Sequence, residues 1–367
     1  MSTDILIAGG GIIGLATAWE LSGRGYSVSI IERGQCGAES SWAGGGILSQ
    51  LMPWDYVEAV GRLCSFSTDL YPAWVQQLES ASAIDPEYWR CGLLVSGALD
   101  DARAEAWRRE HGMTLRRVRP GEVSQALALT EEVLWLPDVA QVRNPRLLKA
   151  LRRALEERGV KLLENTPVTG WKFDNGKLLA ACTPGAELAA DNFIVCAGAW
   201  SSVLLSEITA GVEISPVRGQ MLLYQAEAGL LTTMVAENGH YLIPRRDGLI
   251  LAGSTLEEAG FDKSVTTAAL HTLGEWAGKI LAPLSQRKPI KQWAGLRPGS
   301  PGNVPVISRH PQLDNLYLNS GHFRYGVTMA PGSARLMAEV IAGETTSLDA
   351  GDYAWAERAN VIPRSRR

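Results

Sequence analysis

The chain has 367 residues, 46% hydrophobic and 20% charged, with a formal net charge of −4. That length predicts about two domains with full apolar cores, and the mildly acidic balance argues against a nucleic-acid or anionic-membrane partner. No basic segment followed by an apolar run opens the chain, and no stretch approaches the roughly 18 uninterrupted apolar residues of a spanning helix, so a cytoplasmic protein is expected. The cysteines (Cys36, Cys64, Cys91, Cys182 and Cys196) are scattered without a CxxC pair, and the histidines have no metal-ligand spacing. Reduced thiols and no metal site are predicted.

The first element is an apolar strand, Asp4–Ala8, running into Gly9-Gly10-Gly11-Ile12-Ile13-Gly14 and a helix. A second apolar strand, Val28–Ile31, ends on Glu32, eighteen residues beyond Gly14. This is the register of a dinucleotide-binding unit. Gly9 serves the tight turn, Gly11 lets backbone approach a pyrophosphate, and Gly14 lets helix and strand pack closely. The helix N-terminus offers free N–H groups to the phosphates, and Glu32 an acceptor to a ribose hydroxyl. Alone, the fingerprint leaves a flavin and a nicotinamide cofactor both open. Next comes Ser40-Ser41-Trp42-Ala43-Gly44-Gly45-Gly46, whose hydroxyls and glycines suit a flat phosphorylated ligand but equally a flexible surface loop.

Further along, Asn144-Pro145 predicts a helix with Asn144 as its cap, Leu147, Leu151, Ala154 and Leu155 on its apolar face, and Gly159 at its end. Strands are expected at Val160–Leu163 and Phe193–Ala197. Between residues 220 and 255 the text turns to short β runs, Met221–Tyr224, His240–Ile243 and Leu249–Gly253, with Asp247-Gly248 as a hairpin turn. A helix over Thr266–Leu281 follows. The last third returns to strand (Asn315–Asn319), glycine-flanked loop (Gly321–Gly326) and helix, with Ala334, Met337, Ala338 and Ile341 on one face and Gly343 as the stop. The fold class read from this order is α/β. A Rossmann-like cofactor-binding domain comprises residues 1–85, 140–215 and 295–367. An inserted α+β substrate domain, built on an antiparallel sheet, comprises residues 86–139 and 216–294.

Two C-terminal runs carry arginines beside turn residues: Trp293-Ala-Gly-Leu-Arg297-Pro-Gly299 and His322-Phe-Arg324-Tyr325-Gly326. By themselves these fit surface arginines paired to carboxylates, as Tyr241 fits a core tyrosine with a satisfied hydroxyl. Taken together with the opening Gly9–Gly14 run, the Glu39–Leu48 run and Cys196–Ser202, they resemble the D-amino-acid oxidase family of FAD enzymes over nearly the whole length.

The resemblance implies non-covalent FAD, because no cysteine follows Cys196 where some relatives attach the flavin. It implies diphosphate contacts at Ile12 and Ile13, adenosine ribose at Glu32 and Arg33, and adenine at Val168. Ser40, Ser41, Gly45, Gly46 and Ile47 would line the pyrophosphate and flavin. His322, Phe323, Arg324, Tyr325, Gly326, Val327 and Thr328 would wrap the flavin's pyrimidine end. Arg297 would clamp a substrate carboxylate, with Tyr241 and Arg324 beside it. The implied reaction is oxidative deamination of glycine, sarcosine or small D-amino acids. Hydride passes to the flavin and O2 becomes hydrogen peroxide, in a homotetramer whose imine product would feed the thiamine thiazole. No acid–base residue is required; His240 and His322 are the only candidates. Leu256 and Ile47 replace methionines of near relatives, which touches substrate preference. A D-amino-acid or sarcosine oxidase or dehydrogenase, a module acting on tRNA and a non-catalytic flavoprotein stay open.

Overall fold

The computed structural model describes residues 4–355 apart from 98, 175 and 209–211. Residues 356–367, the end of the last cofactor-binding segment drawn above, lie outside the described residues.

Two large sheets organise the chain. The first has six strands in the order Val306–Arg309, Leu316–Ser320, Asn192–Val195, Ile5–Ala8, Val28–Ile31 and Lys161–Leu163. All pair in parallel except the edge strand Val306–Arg309. The strand that opens the fingerprint is buried at every position, which is why its sequence is a continuous apolar run with no polar alternation. Its side chains still alternate. Ile5 and Ile7 join the core beneath the helices Ile12–Gly23, Glu58–Ser82, Asn144–Glu157 and Gly326–Ala342. Leu6 and Ala8 face Trp171, Leu178 and Ala181 of a small three-stranded sheet on the other side.

The second sheet has eight strands, in the order Lys291–Gly299, Ser215–Gln225, Leu249–Gly253, His240–Pro244, Met234–Glu237, Leu93–Ser96, Val133–Leu136 and Arg116–Val118. It is built on antiparallel pairs, as expected, with one exception: Met234–Glu237 pairs in parallel with Leu93–Ser96. That pairing closes one sheet from two chain segments about 140 residues apart, and it leaves no local signature. One face packs under the helix Thr267–Ile280, where Leu222, Leu242 and Ile250 meet Leu273, Ala277 and Ile280. The Thr266 hydroxyl caps that helix, accepting the Ala269 N–H. The opposite face carries Met221, Tyr241 and Ile243. Residues 295–299, assigned to the cofactor-binding segments from sequence, are the second half of Lys291–Gly299.

One local expectation fails. Arg143, not Asn144, is the N-cap of the helix Asn144–Glu157, with no side-chain cap bond. The Asn144 side chain instead donates to the Ser41 carbonyl at 2.8 Å. Its amide N–H finds this long-range acceptor, while Oδ1, which would have accepted a first-turn N–H as a cap, has no hydrogen-bond partner among the described residues. At the hairpin, by contrast, Asp247 and Gly248 act as expected: Gly248 has φ +84° and Asp247 Oδ1 accepts the Leu249 N–H.

Candidate active site

A cavity of about 440 Å³ lies where the two sheets meet. Its cofactor side is built largely of backbone. Gly9 has φ +117°, and a Cβ there would strike the Cys196 carbonyl; one on Gly14 would strike the Gly9 carbonyl. Gly14 therefore acts by packing and does not line the cavity, whereas Gly9, Gly11, Ile12 and Ile13 do. Ser41 Oγ accepts the Ile12 N–H at 2.9 Å, leaving the rest of the first-turn donors without a carbonyl inside the helix. Glu32 bridges two loops, one oxygen taking the Gly10 N–H at 2.8 Å and the other the Gly34 N–H at 3.0 Å. Its neighbour Arg33 lies over the Trp200 ring at 3.6 Å and pairs with Glu39 at 2.9 Å. Ser40, Val168 and Trp200 complete this end.

The middle of the cavity is lined by Gly45, Gly46 and Ile47. Among the described residues, the N–H groups of these three have no acceptor. Gly45 and Gly46 are buried, so such donors need a ligand or water. At the far end stand His322 through Val327. His322 Nε2 shares a hydrogen bond with Ser333 Oγ at 2.8 Å, and Phe323 donates its N–H to the Pro298 carbonyl at 3.0 Å. The Tyr325 ring meets Tyr56 edge-on and their hydroxyls are bonded; burial pushes the Tyr325 phenol well above its usual range. Thr328 does not line the cavity; its hydroxyl donates to the Ile47 carbonyl at 3.0 Å and ties the start of the last helix to the Gly44–Ile47 loop. The surroundings fit FAD: backbone donors without acceptors among the described residues, at two helix starts and one loop, face a mostly apolar cavity.

The substrate side is made of side chains. Arg297 comes from Lys291–Gly299 and Tyr241 from His240–Pro244, while Arg324 comes from the loop before the last helix; all three line the same cavity. Arg297 donates to Ser254 Oγ at 2.7 Å and to the Thr255 carbonyl at 3.1 Å. No carboxylate pairs with it among the described residues. Burial lowers its pKa and Arg324 lowers it further, with Tyr241 opposing. The guanidinium lies across Gly219, where any Cβ would collide with it. Arg324 also lacks a carboxylate partner among the described residues, donating only to the Gly239 carbonyl at 3.2 Å. Two unpaired cations therefore share one cavity with a phenol.

His240 does not line the cavity. Its ring tilts against Trp276 at 5.4 Å, and burial lowers its pKa. Leu256, expected to bear on substrate preference, is 58% exposed and also lies off the cavity. Sequence reasoning missed Trp200 and Met221. Trp200 stood within the Cys196–Ser202 run, but nothing in the text foretold Met221, whose sulfur accepts the Tyr241 hydroxyl at 3.4 Å. Among the described residues no group of acidic, histidine or cysteine side chains is placed to hold a metal ion. No helix among them is long and apolar enough to cross a membrane.

A Rossmann-like sheet carrying a dinucleotide fingerprint is joined to a cationic pocket on a second sheet, the build of a nucleotide-dependent oxidoreductase. The family described as FAD dependent oxidoreductase (DAO) matches residues 4–340, and the chain belongs to it. It is 42% identical to a glycine oxidase of Pseudomonas aeruginosa over 98% of this chain and 100% of that one. It is 32% identical to the bifunctional protein ThiO/ThiG of Trichormus variabilis, over 93% of this chain and 53% of that longer protein. The crystal structure of glycine oxidase from Geobacillus kaustophilus superposes with a TM-score of 0.92 at 26% identity, covering 97% of this chain and 99% of that one.

Proposed function

We propose that this protein oxidises glycine and other small amines such as sarcosine and small D-amino acids with FAD and O2; glycine with one O2 and one water gives glyoxylate, ammonia and hydrogen peroxide. The observation that carries the reading is Arg297, a cation without a carboxylate partner, exposed to the same cavity as the flavin-side loops. FAD, when bound, supplies the two-electron acceptor and passes the electrons to oxygen.

The chain's own residues bind and orient. Arg297 takes the substrate carboxylate through both arms, the Tyr241 hydroxyl adds a second donor, and Arg324 completes the positive end. Cα–H is thereby directed at the cofactor side, where Gly45, Gly46 and Ile47 present backbone. Neither histidine is placed as a base: His240 lies off the cavity and His322 is held by Ser333. The amine therefore has to arrive neutral. kcat/KM should rise with pH and level off, and a flat profile between about pH 6 and 10 would contradict this.

The 42% identity to a glycine oxidase supports glycine as the substrate. We place the protein in the cytoplasm, with its imine product handed to a second enzyme making the thiamine thiazole, as the family resemblance implies; a relative that is one bifunctional ThiO/ThiG chain is consistent with such a hand-over. We further assign residues 1–85, 140–215 and 295–367 chiefly to cofactor binding and 86–139 and 216–294 chiefly to substrate binding, with the strand Lys291–Gly299 crossing that boundary and carrying Arg297 to the substrate, in a homotetramer. The deciding experiment is a peroxide assay of the purified holoprotein against glycine, sarcosine, D-alanine and D-proline. Glycine and sarcosine should be turned over best; flavin reduction without peroxide would instead make it a dehydrogenase.

A further inference from the structure

Arg245, the residue after the strand His240–Pro244, is only 5% exposed. Among the described residues no carboxylate pairs with it; its partners are all neutral acceptors. One arm bonds Gln141 Oε1 and, at 2.9 Å, the Val142 carbonyl; the other bonds the Gly45 carbonyl at 2.7 Å. Burial pushes its pKa down to about 10, so the group stays charged at neutral pH. A desolvated cation without a counter-ion is costly, and a fold that only needed to fill this space would do better with an apolar side chain.

The Gly45 contact suggests what the charge does. In a trans peptide the C=O and the following N–H point in opposite directions. Holding the Gly45 carbonyl from the substrate-sheet side turns the Gly46 N–H the other way. The next peptide is held similarly, because the Val142 N–H takes the Gly46 carbonyl at 2.9 Å and so turns the Ile47 N–H. Val142 itself is fixed through its own carbonyl by the same guanidinium. One buried cation thus governs two successive peptides whose N–H groups have no acceptor among the described residues and whose residues line the cavity.

We propose that Arg245 is a positioning residue for the flavin, aiming the Gly46 and Ile47 N–H groups into the cavity by holding the Gly45 and Val142 carbonyls from behind. The proposal deepens the reading of this segment as flavin-binding and rests on it. It assigns a role to a side chain that touches neither cofactor nor substrate.

The test is FAD titration of the apoprotein by flavin fluorescence, for the wild type, Arg245→Met and Arg245→Lys, with the apoprotein Tm measured in parallel. Arg245→Met should raise the FAD Kd by roughly 10–100-fold, the loss expected for one or two charge-assisted bonds acting through the peptides they orient. Arg245→Lys keeps the charge but loses the fork, and should fall between. A folded Arg245→Met protein with a lower Tm but an FAD Kd within about threefold of wild type would mark a purely structural residue and overturn the proposal. Should Arg245→Met fail to fold, Arg245→Lys decides, and an unchanged Kd there overturns it as well. A wild-type protein that binds no FAD would instead sink the cofactor reading itself.

Discussion

Two arginines on neighbouring strands show how the same side chain becomes either scaffold or site. Arg218 and Arg297 sit on the paired strands Ser215–Gln225 and Lys291–Gly299, one register step apart. Arg218 is buried with a carboxylate on each arm, Glu257 and Asp262, both at 2.6 Å, and its pKa is raised by those bonds. Among the described residues Arg297 has only a hydroxyl and carbonyls as acceptors, and burial lowers its pKa. The first is complete without a ligand; the second still lacks a counter-charge. Being one register step apart, they face opposite sides of the sheet, and the loop 254–264 serves both: its Glu257 and Asp262 reach Arg218 while its Ser254 and Thr255 reach Arg297.

The largest expected effect tests the unpaired member. Arg297→Ala should lower kcat/KM for glycine by roughly 10²–10⁴, from two charge-assisted bonds lost, and Arg297→Lys should not restore it. Near-normal steady-state kinetics would remove Arg297 from the site. Arg218→Leu should do the reverse, lowering Tm on the order of 5 °C by stranding Glu257 and Asp262, with a smaller loss of kcat/KM. Calorimetry on both variants breaks the comparison if Arg297→Ala is the more destabilised.

Gly219→Ala sharpens it further. The added methyl would displace the Arg297 guanidinium, so KM should rise about tenfold while the Arg218 ion pairs and Tm stay near wild type. The smallest effect is in acid. Burial raises the Glu257 pKa, but bonds from Thr255, Gln220 and Arg218 outweigh it; Asp262 is lowered by Ser264 and then by Arg218. Both folded pKa values lie below the unfolded ones, so the unfolded chain binds protons first. Their stabilisation is full above the ordinary carboxylate range near about pH 4 and is lost as pH falls through the folded values. Arg218→Leu should therefore show a shallower fall in Tm from about pH 5 to 3 than wild type.

The cofactor end was legible because its parts are local. The strand, the turn at Gly9, the helix start and Glu32 all fall within a few dozen residues, and each has a backbone reason for its residue type. The substrate end was legible only through the family resemblance. Arg297, Tyr241 and Arg324 lie on three separate segments, and their lack of counter-ions is a fact of three-dimensional neighbours. The same limit hid the parallel pairing of Leu93–Ser96 with Met234–Glu237, the diversion of Asn144 to the Ser41 carbonyl and the sulfur of Met221 under Tyr241. It also made Leu256 look relevant, since a position in the text says nothing about which side of a loop meets the cavity.

The strand Lys291–Gly299 touches both ends at once. The Trp293 indole donates to the Ala43 carbonyl at 3.0 Å, Gly295 packs against Ala43, and Arg297 reaches the pocket. These alternate residues share one face, so the step from cofactor wall to anion clamp is two residues of extended chain, roughly 7 Å. On the proposed reading, the strand is a ruler between cofactor and substrate. Point changes along it alter what is gripped, but losing or gaining a single residue between Trp293 and Arg297 would turn the clamp to the opposite face of the sheet. A single-residue insertion or deletion in this nine-residue segment should accordingly abolish glycine turnover.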